Sequence, residues 1–214
     1  MKNKPKLLGY YNYTVILTYI GMLIGFAGVF CVFEDRIFYA VLCLIAAGAC
    51  DMFDGAIAST RERTEAEKCF GIQIDSLSDL ICFGVLPAMI ACGARGQALP
   101  ILVIAALYVL CALIRLAYFN VDEQERQKNS SSSRELYLGM PVTVSALIVP
   151  LVFSVGSWFP AQRTVALAVA LALSAILFLL PFPLKKPKLT GKIILVLCGF
   201  IELFLVVFIH VRLS

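Results

Sequence analysis

Charged residues are scarce in this chain. Asp, Glu, Lys and Arg make up 15% of its 214 residues, and 61% are hydrophobic. A soluble domain carries about a quarter charged residues, so a water-soluble globular fold is excluded and an integral membrane protein is expected. Metal-type cysteine spacing is missing as well. The eight cysteines, at positions 31, 43, 50, 69, 82, 92, 111 and 198, form no C-x-x-C pair and lie mostly in apolar runs, which predicts free buried thiols. Neither an internal repeat nor a soluble domain is visible. The basic start at Lys2, Lys4 and Lys6 leads into an apolar run without a convincing A-x-A site, so no cleavable signal peptide is expected. No nucleic-acid partner is expected either.

What the chain has is apolar length. A membrane span needs about 20 predominantly apolar residues, and seven segments qualify: 14–33, 37–60, 70–94, 98–119, 139–158, 163–181 and 191–211. With the N-terminus inside, Lys2, Lys4, Lys6, Arg61, Arg63, Lys68, Arg126, Lys128, Arg134, Lys185, Lys186, Lys188 and Lys192 fall on the cytoplasmic side. Only Arg36, Arg95, Arg163 and Arg212 fall outside, and Arg115 lies near the inner end of the fourth span. This bias predicts an N-in, C-out topology. The polar stretch 121–138, with its serine run Ser130 to Ser133, reads as a cytoplasmic loop, and 182–190 as a stiff basic connector at lipid headgroups. Trp158, Tyr137 and Phe159 fit an interfacial aromatic belt, as does the sole histidine, His210. Glu202 falls mid-span without an assigned partner.

Against this background four aspartates stand out: Asp51 and Asp54 in the second span, Asp75 and Asp79 in the third. Spacings of three and four residues put each pair on one helix face. Ionised carboxylates among apolar residues are costly unless they line a polar cavity, pair with cations or bind metal. Both pairs fall toward the cytoplasmic ends of adjacent antiparallel spans, so all four can converge near the inner leaflet. Such a set suits hard divalent cations shared with substrate phosphates. Gly55 removes a side chain where a phosphate or nucleotide can approach, and Ala58 and Gly71 keep nearby faces open.

The run Asp51-x-x-Asp54-Gly55-x-x-Ala58, then Gly71-x-x-x-Asp75-x-x-x-Asp79, resembles the signature of the CDP-alcohol phosphatidyltransferases, D-x2-D-G-x2-A-R-x8-G-x3-D-x3-D. The resemblance extends from the first span to about the sixth. It implies an all-α polytopic membrane protein with a six-helix core, here 14–181, preceded by a cytoplasmic segment 1–13 and followed by an additional helix in 191–214. It also implies attack of an alcohol hydroxyl on the lipid-bearing phosphate of a CDP-linked lipid, with CMP expelled. By the same resemblance Asp51, Asp54, Asp75 and Asp79 would hold Mg²⁺ or Mn²⁺, two ions in all, with Asp79 also the candidate general base. Gly55, Ala58, Gly71 and a cation would accommodate the CDP-lipid, and a homodimer in the cell membrane, with a cytoplasmic active site, is expected. Two departures are present: Ser59 stands where the pattern has arginine, and twelve residues separate Ala58 from Gly71 where the pattern has nine. Arg61 or Arg63 can supply the missing cation; on a lengthened helix end Arg63 would share the face of Ser59.

Two further segments, 115–120 (RLAYFN) and 137–141 (YLGMP), are similar to the phosphatidylserine synthase branch of that family, as is 75–88. This implies CDP-diacylglycerol and L-serine as substrates. Arg115 and Asn120 are the candidate acceptor-binding residues, a guanidinium suiting a carboxylate or phosphate. The plainer alternatives are a snorkelling Arg115, an Asn120 that caps a helix and a Gly139-Met140-Pro141 that opens the fifth span. An acceptor such as inositol phosphate or glycerol phosphate stays open, although it would call for more cations. An ion-coupled transporter is the reading from another class.

Overall fold

Asn12 begins the first helix: its side chain accepts from the backbone N–H of Thr14, satisfying one of the donors a helix start leaves bare. Helix α1 (Tyr13–Phe33) turns through Asp35, whose φ of 59° places it in the left-handed region, into α2 (Ile37–Ala58). The two form an antiparallel hairpin. The structure, a computed structural model, describes residues 8–93, 98–129, 136–185 and 189–213. Lys2, Lys4, Lys6, Arg95, Arg134, Lys186, Lys188 and the serine run 130–133 lie outside the described residues, as do the side chains of Lys128, Lys185 and Lys192.

After α2, α3 (Glu65–Asp79) starts five residues earlier than the third span expected from hydropathy. The reason is local: Thr64 and Glu67 make a reciprocal capping box, the T-x-x-E signature of a helix start. The helix continues through a π turn at Leu80–Val85 into α4 (Leu86–Cys92). Pro87 has no N–H to offer the carbonyl four residues back, that of Phe83. Tyr108 donates its hydroxyl to that carbonyl at 2.6 Å, and the Ser145 hydroxyl, 2.8 Å from the Val142 carbonyl, also comes within 3.2 Å of it. Two other helices thereby satisfy a buried backbone group that lipid or apolar packing could not.

The fourth span is longer than expected. Helix α5 runs Leu99–Asn129, so the first half of the expected loop at 121–138 is helical. Its residues, DEQERQK, are good helix formers, and Arg126 bonds Glu123 one turn back. Asn120 is consequently inside a helix, not at its cap. Strand β1 (Leu136–Leu138) then pairs antiparallel with β2 (Pro183–Lys185), Tyr137 opposite Leu184. This small ladder gives structure to two stretches expected to be irregular.

Between the strands lie a 3₁₀ turn (Val142–Val144), α6 (Ser145–Gly156) and α7 (Pro160–Leu179). The expected fifth span is thus a shorter apolar helix, Val142–Gly156. Gly139 and Met140 do not simply open it. Their N–H groups donate to the carbonyls of Phe182 and Leu177, so the segment seals the C-terminal end of α7. Helix α8 (Leu189–Leu213) packs on α2 and α6, with His210 stacked on Phe38 at a centroid distance of 3.7 Å. Glu202 faces inward beside Val206 and Ile209, and its Oε2 has no hydrogen-bond partner among the described residues.

Among the described residues six helices are long and apolar enough to cross a membrane: α1, α2, the continuous Glu65–Cys92 unit, α5, α7 and α8. The protein is an all-α, multi-pass membrane protein whose core lies where α1, α2, the π turn, α5, α6 and α7 meet, around Leu44, Phe83, Leu86, Tyr108 and Phe178. Close approach there depends on a glycine: a Cβ on Gly25 would meet Cys82 Sγ at 2.5 Å. All described cysteines are free thiols.

Candidate active site

The C-terminal half of α2 and the body of α3, joined by the short segment 59–64, both lie against α1. Asp51, Asp54 and Asp75 converge there, offering carboxylate oxygens that all lie within 4.8 Å of one another. Asp79, one helical turn beyond Asp75, is not a member of that set. Helix α1 contributes as well: Thr18, 8% exposed, donates from Oγ1 to Asp54 Oδ2 at 3.1 Å.

Three ionised carboxylates this close repel by about 3–4 kcal/mol per pair at an effective dielectric of about 20. The arrangement therefore calls for a counter-charge between the helices. Hard carboxylate oxygens are the donors that divalent Mg²⁺ and Mn²⁺ prefer, so Asp51, Asp54 and Asp75 fit such an ion by chemistry and by spacing.

Beside the carboxylates opens a cavity of about 590 Å³, large enough for a nucleotide-sized ligand. Asp54, Gly55, Ala58, Arg63, Gly71 and Asp75 line it, joining six of the residues singled out by sequence. A Cβ on Gly55 would meet nothing within 4 Å, so that part of α2 presents bare backbone to the open space. Gly71 has a different reason: its Cβ would come 3.2 Å from Nη1 of Arg63.

The remaining expected residues lie elsewhere. Arg61 is not in the cavity wall and pairs with Glu67 Oε1 at 3.5 Å. Helix α2 ends at Ala58, with Ser59 as its C-cap, so no lengthened helix end carries Arg63. It reaches the cavity from the connecting segment instead. Arg115 is buried, its guanidinium 5.4 Å from the ring centroid of Phe119. Asn120 ties α5 to α3, accepting from Ser76 Oγ at 2.7 Å and donating to Gln73 Oε1 at 3.3 Å. Neither lines the cavity.

Conversely, Thr14, Thr18, Glu65, Lys68 and Arg126 line it without having been singled out as site residues. Two threonines one turn apart on an otherwise apolar helix were the available signal for α1. For Lys68 and Arg126 the signal was hidden, because each counted only toward membrane orientation. Their charges are locally offset: Lys68 pairs with Glu65 at 2.8 Å, and Arg126 with Glu123.

Comparison with known proteins agrees with this geometry. The chain is 34% identical over 153 residues to the CDP-diacylglycerol–serine O-phosphatidyltransferase of Saccharomyces cerevisiae, covering 64% of this chain and 53% of that one. It is 29% identical over 148 residues to the Helicobacter pylori protein of the same name, covering 66% and 56%, and 30% identical over 139 residues to that of Bacillus subtilis, covering 64% and 72%. The matched region thus spans little more than half of the yeast and Helicobacter relatives. Residues 11–180, which include all four of these aspartates, match the family model of the CDP-alcohol phosphatidyltransferases, and the chain belongs to that family.

Proposed function

We propose that this protein transfers the phosphatidyl group of CDP-diacylglycerol to the hydroxyl of L-serine and releases CMP. The observation that carries the reading is the convergence of Asp51, Asp54 and Asp75 beside a cavity walled by Gly55, Ala58, Gly71 and Arg63. The names of the relatives support the substrates.

In this reading Asp51, Asp54 and Asp75 hold Mg²⁺ or Mn²⁺, two ions when the substrate is bound. The metal, when bound, neutralises phosphate charge and polarises the phosphoryl oxygens. Gly55 and Ala58 leave room for the CMP portion against α2. Asp79, outside the three-oxygen set, takes the proton of the attacking hydroxyl as general base. The serine oxygen forms a bond to the lipid-bearing phosphorus, the bond from that phosphorus to the CMP oxygen breaks, and CMP leaves with the electron pair.

Sequence alone argued against a phosphorylated acceptor because cations were few. Among the described residues the cavity is lined by three, but Glu65 and Glu123 offset Lys68 and Arg126. One cation is left over, which suits a substrate diphosphate without requiring a phosphate on the acceptor. The site opens on the cytoplasmic face of the cell membrane, with the N-terminus inside, on the strength of the basic-residue bias. The family match over residues 11–180 supports reading 14–181 as the core and α8 as an addition.

The test is CMP release from CDP-diacylglycerol by detergent-purified protein with a divalent ion and each alcohol in turn. Release that depends on serine and is abolished in Asp79→Asn is expected. Release with inositol phosphate or glycerol phosphate but not serine reassigns the acceptor.

A further inference from the structure

We infer that Arg63, rather than Arg61, is the side chain that receives a phosphate of the nucleotide-activated lipid, and that Gly71 positions it. The inference rests on the reading that the cavity binds a CDP-linked lipid, and it assigns a role that the motif leaves vacant at Ser59. Ser59 itself cannot fill that role: its hydroxyl is exposed and donates back to Ala56 O at 2.7 Å.

Among the described residues three cations line the cavity, Arg63, Lys68 and Arg126. Two of them are engaged by carboxylates, Lys68 by Glu65 at 2.8 Å and Arg126 Nε by Glu123 at 3.0 Å. Arg63 has no carboxylate partner among the described residues. A half-buried guanidinium without an anion is a site in waiting for one, because its planar fork matches two oxygens of a phosphate. Arg61 is in the opposite condition. Its side chain is 42% exposed and pairs with Glu67. Glu67 is in turn fixed by the Thr64 capping box and by Asn12 Nδ2 at 3.0 Å.

Geometry also explains why Arg63 points inward. Its Nη1 would sit 3.2 Å from a Cβ on Gly71, so the guanidinium lies across the bare backbone of α3, one turn before Asp75. A methyl at position 71 would make the guanidinium give way by a few tenths of an ångström. The phosphates are then held between two unlike walls: Arg63 binds oxygen directly on one side, and the carboxylates of Asp51, Asp54 and Asp75 reach it through a cation on the other.

The experiment measures equilibrium binding of CDP-diacylglycerol to the detergent-purified full chain, alongside KM and kcat for CMP release. Arg63→Ala should weaken binding and raise KM by about 10- to 100-fold, the size of hydrogen bonds to a charged group, with kcat less affected. Arg63→Lys should recover part of the loss. Gly71→Ala should weaken binding less than Arg63→Ala and add little to it in the double variant. Arg61→Ala should stay within about threefold, as an exposed ion pair predicts. Thermal unfolding with CMP absent checks that each variant is folded, and Arg63→Lys serves if the alanine variant is not. Equal losses for Arg61→Ala and Arg63→Ala, or unchanged binding in Arg63→Ala and Arg63→Lys, overturn the assignment. Failure of the unsubstituted protein to release CMP with any alcohol, while it still binds CDP-diacylglycerol through Arg63, counts against the proposed reaction and not against this residue.

Discussion

Thr18 Oγ1 donates a hydrogen bond to Asp54 Oδ2 at 3.1 Å, linking α1 to the acidic face of α2. The bond fixes which way the Asp54 carboxylate turns. Partners of metal ligands commonly change metal affinity by about 10- to 100-fold when lost. Thr18→Val should therefore raise the Mg²⁺ or Mn²⁺ concentration for half-maximal CMP release by about tenfold, while Thr18→Ser should stay near the parent. A metal titration that superimposes for Val and Thr removes Thr18 from the site.

The carboxylates should divide into two kinds. Asp54→Asn and Asp75→Asn should weaken metal binding itself, read by Mn²⁺ electron paramagnetic resonance or calorimetry. Asp79→Asn should retain most of that binding and lose turnover by about 10²- to 10⁴-fold, the usual contribution of a general base. Chelation with EDTA should stop CMP release by the parent, and added Mg²⁺ or Mn²⁺ should restore it. If Asp79→Asn loses metal as fully as Asp54→Asn, Asp79 is a ligand and the base lies elsewhere.

The Phe83 carbonyl, abandoned by Pro87, depends on Tyr108 and Ser145. Tyr108→Phe should destabilise the protein by about 1–2 kcal/mol, because a buried acceptor loses one of its donors. The Tyr108→Phe, Ser145→Ala pair should cost more than the two single changes added together, since the Ser145 hydroxyl, shared between Val142 O and Phe83 O, can turn to the Phe83 carbonyl once Tyr108 no longer donates. Denaturation in a mixed-micelle titration measures both, and strict additivity argues that the two hydroxyls act independently.

Gly139 sits at φ +73°, and a Cβ there would meet Leu180 O at 2.9 Å. Left-handed backbone alone costs a non-glycine residue about 1–2 kcal/mol, and the clash with the end of α7 adds to it. Gly139→Ala should lower the unfolding temperature clearly, whereas Gly55→Ala, whose Cβ meets nothing within 4 Å, should leave stability unchanged and impair CDP-diacylglycerol binding. Equal stability of the two variants contradicts this division.

Much of this was readable from the chain. Apolar runs gave the spans, and the i, i+3 and i, i+4 spacing of the aspartates put each pair on one helix face. The errors have specific causes. Hydropathy placed the start of the third span at residue 70 because it weighs apolarity, whereas the Thr64–Glu67 box starts the helix at Glu65. The 121–129 stretch looked like loop because it is polar, yet helix propensity and the Glu123–Arg126 pair keep it helical. Helix periodicity could not separate Arg61 from Arg63, since α2 stops at Ala58 and both lie in the connecting segment.

The sequence by itself determined that the protein lives in a membrane and that carboxylates punctuate two of its helices, because apolarity and short-range spacing are properties of the chain alone. The tertiary structure decided that Asp75 meets Asp51 and Asp54, that Thr18 comes from another helix to hold one of them, and that Arg63 turns inward while Arg61 turns to Glu67. Those outcomes depend on how the helices are rotated and staggered against one another. That is set by contacts such as Gly25 on Cys82 and Tyr108 on Phe83, between residues far apart in the chain, where periodicity carries no information.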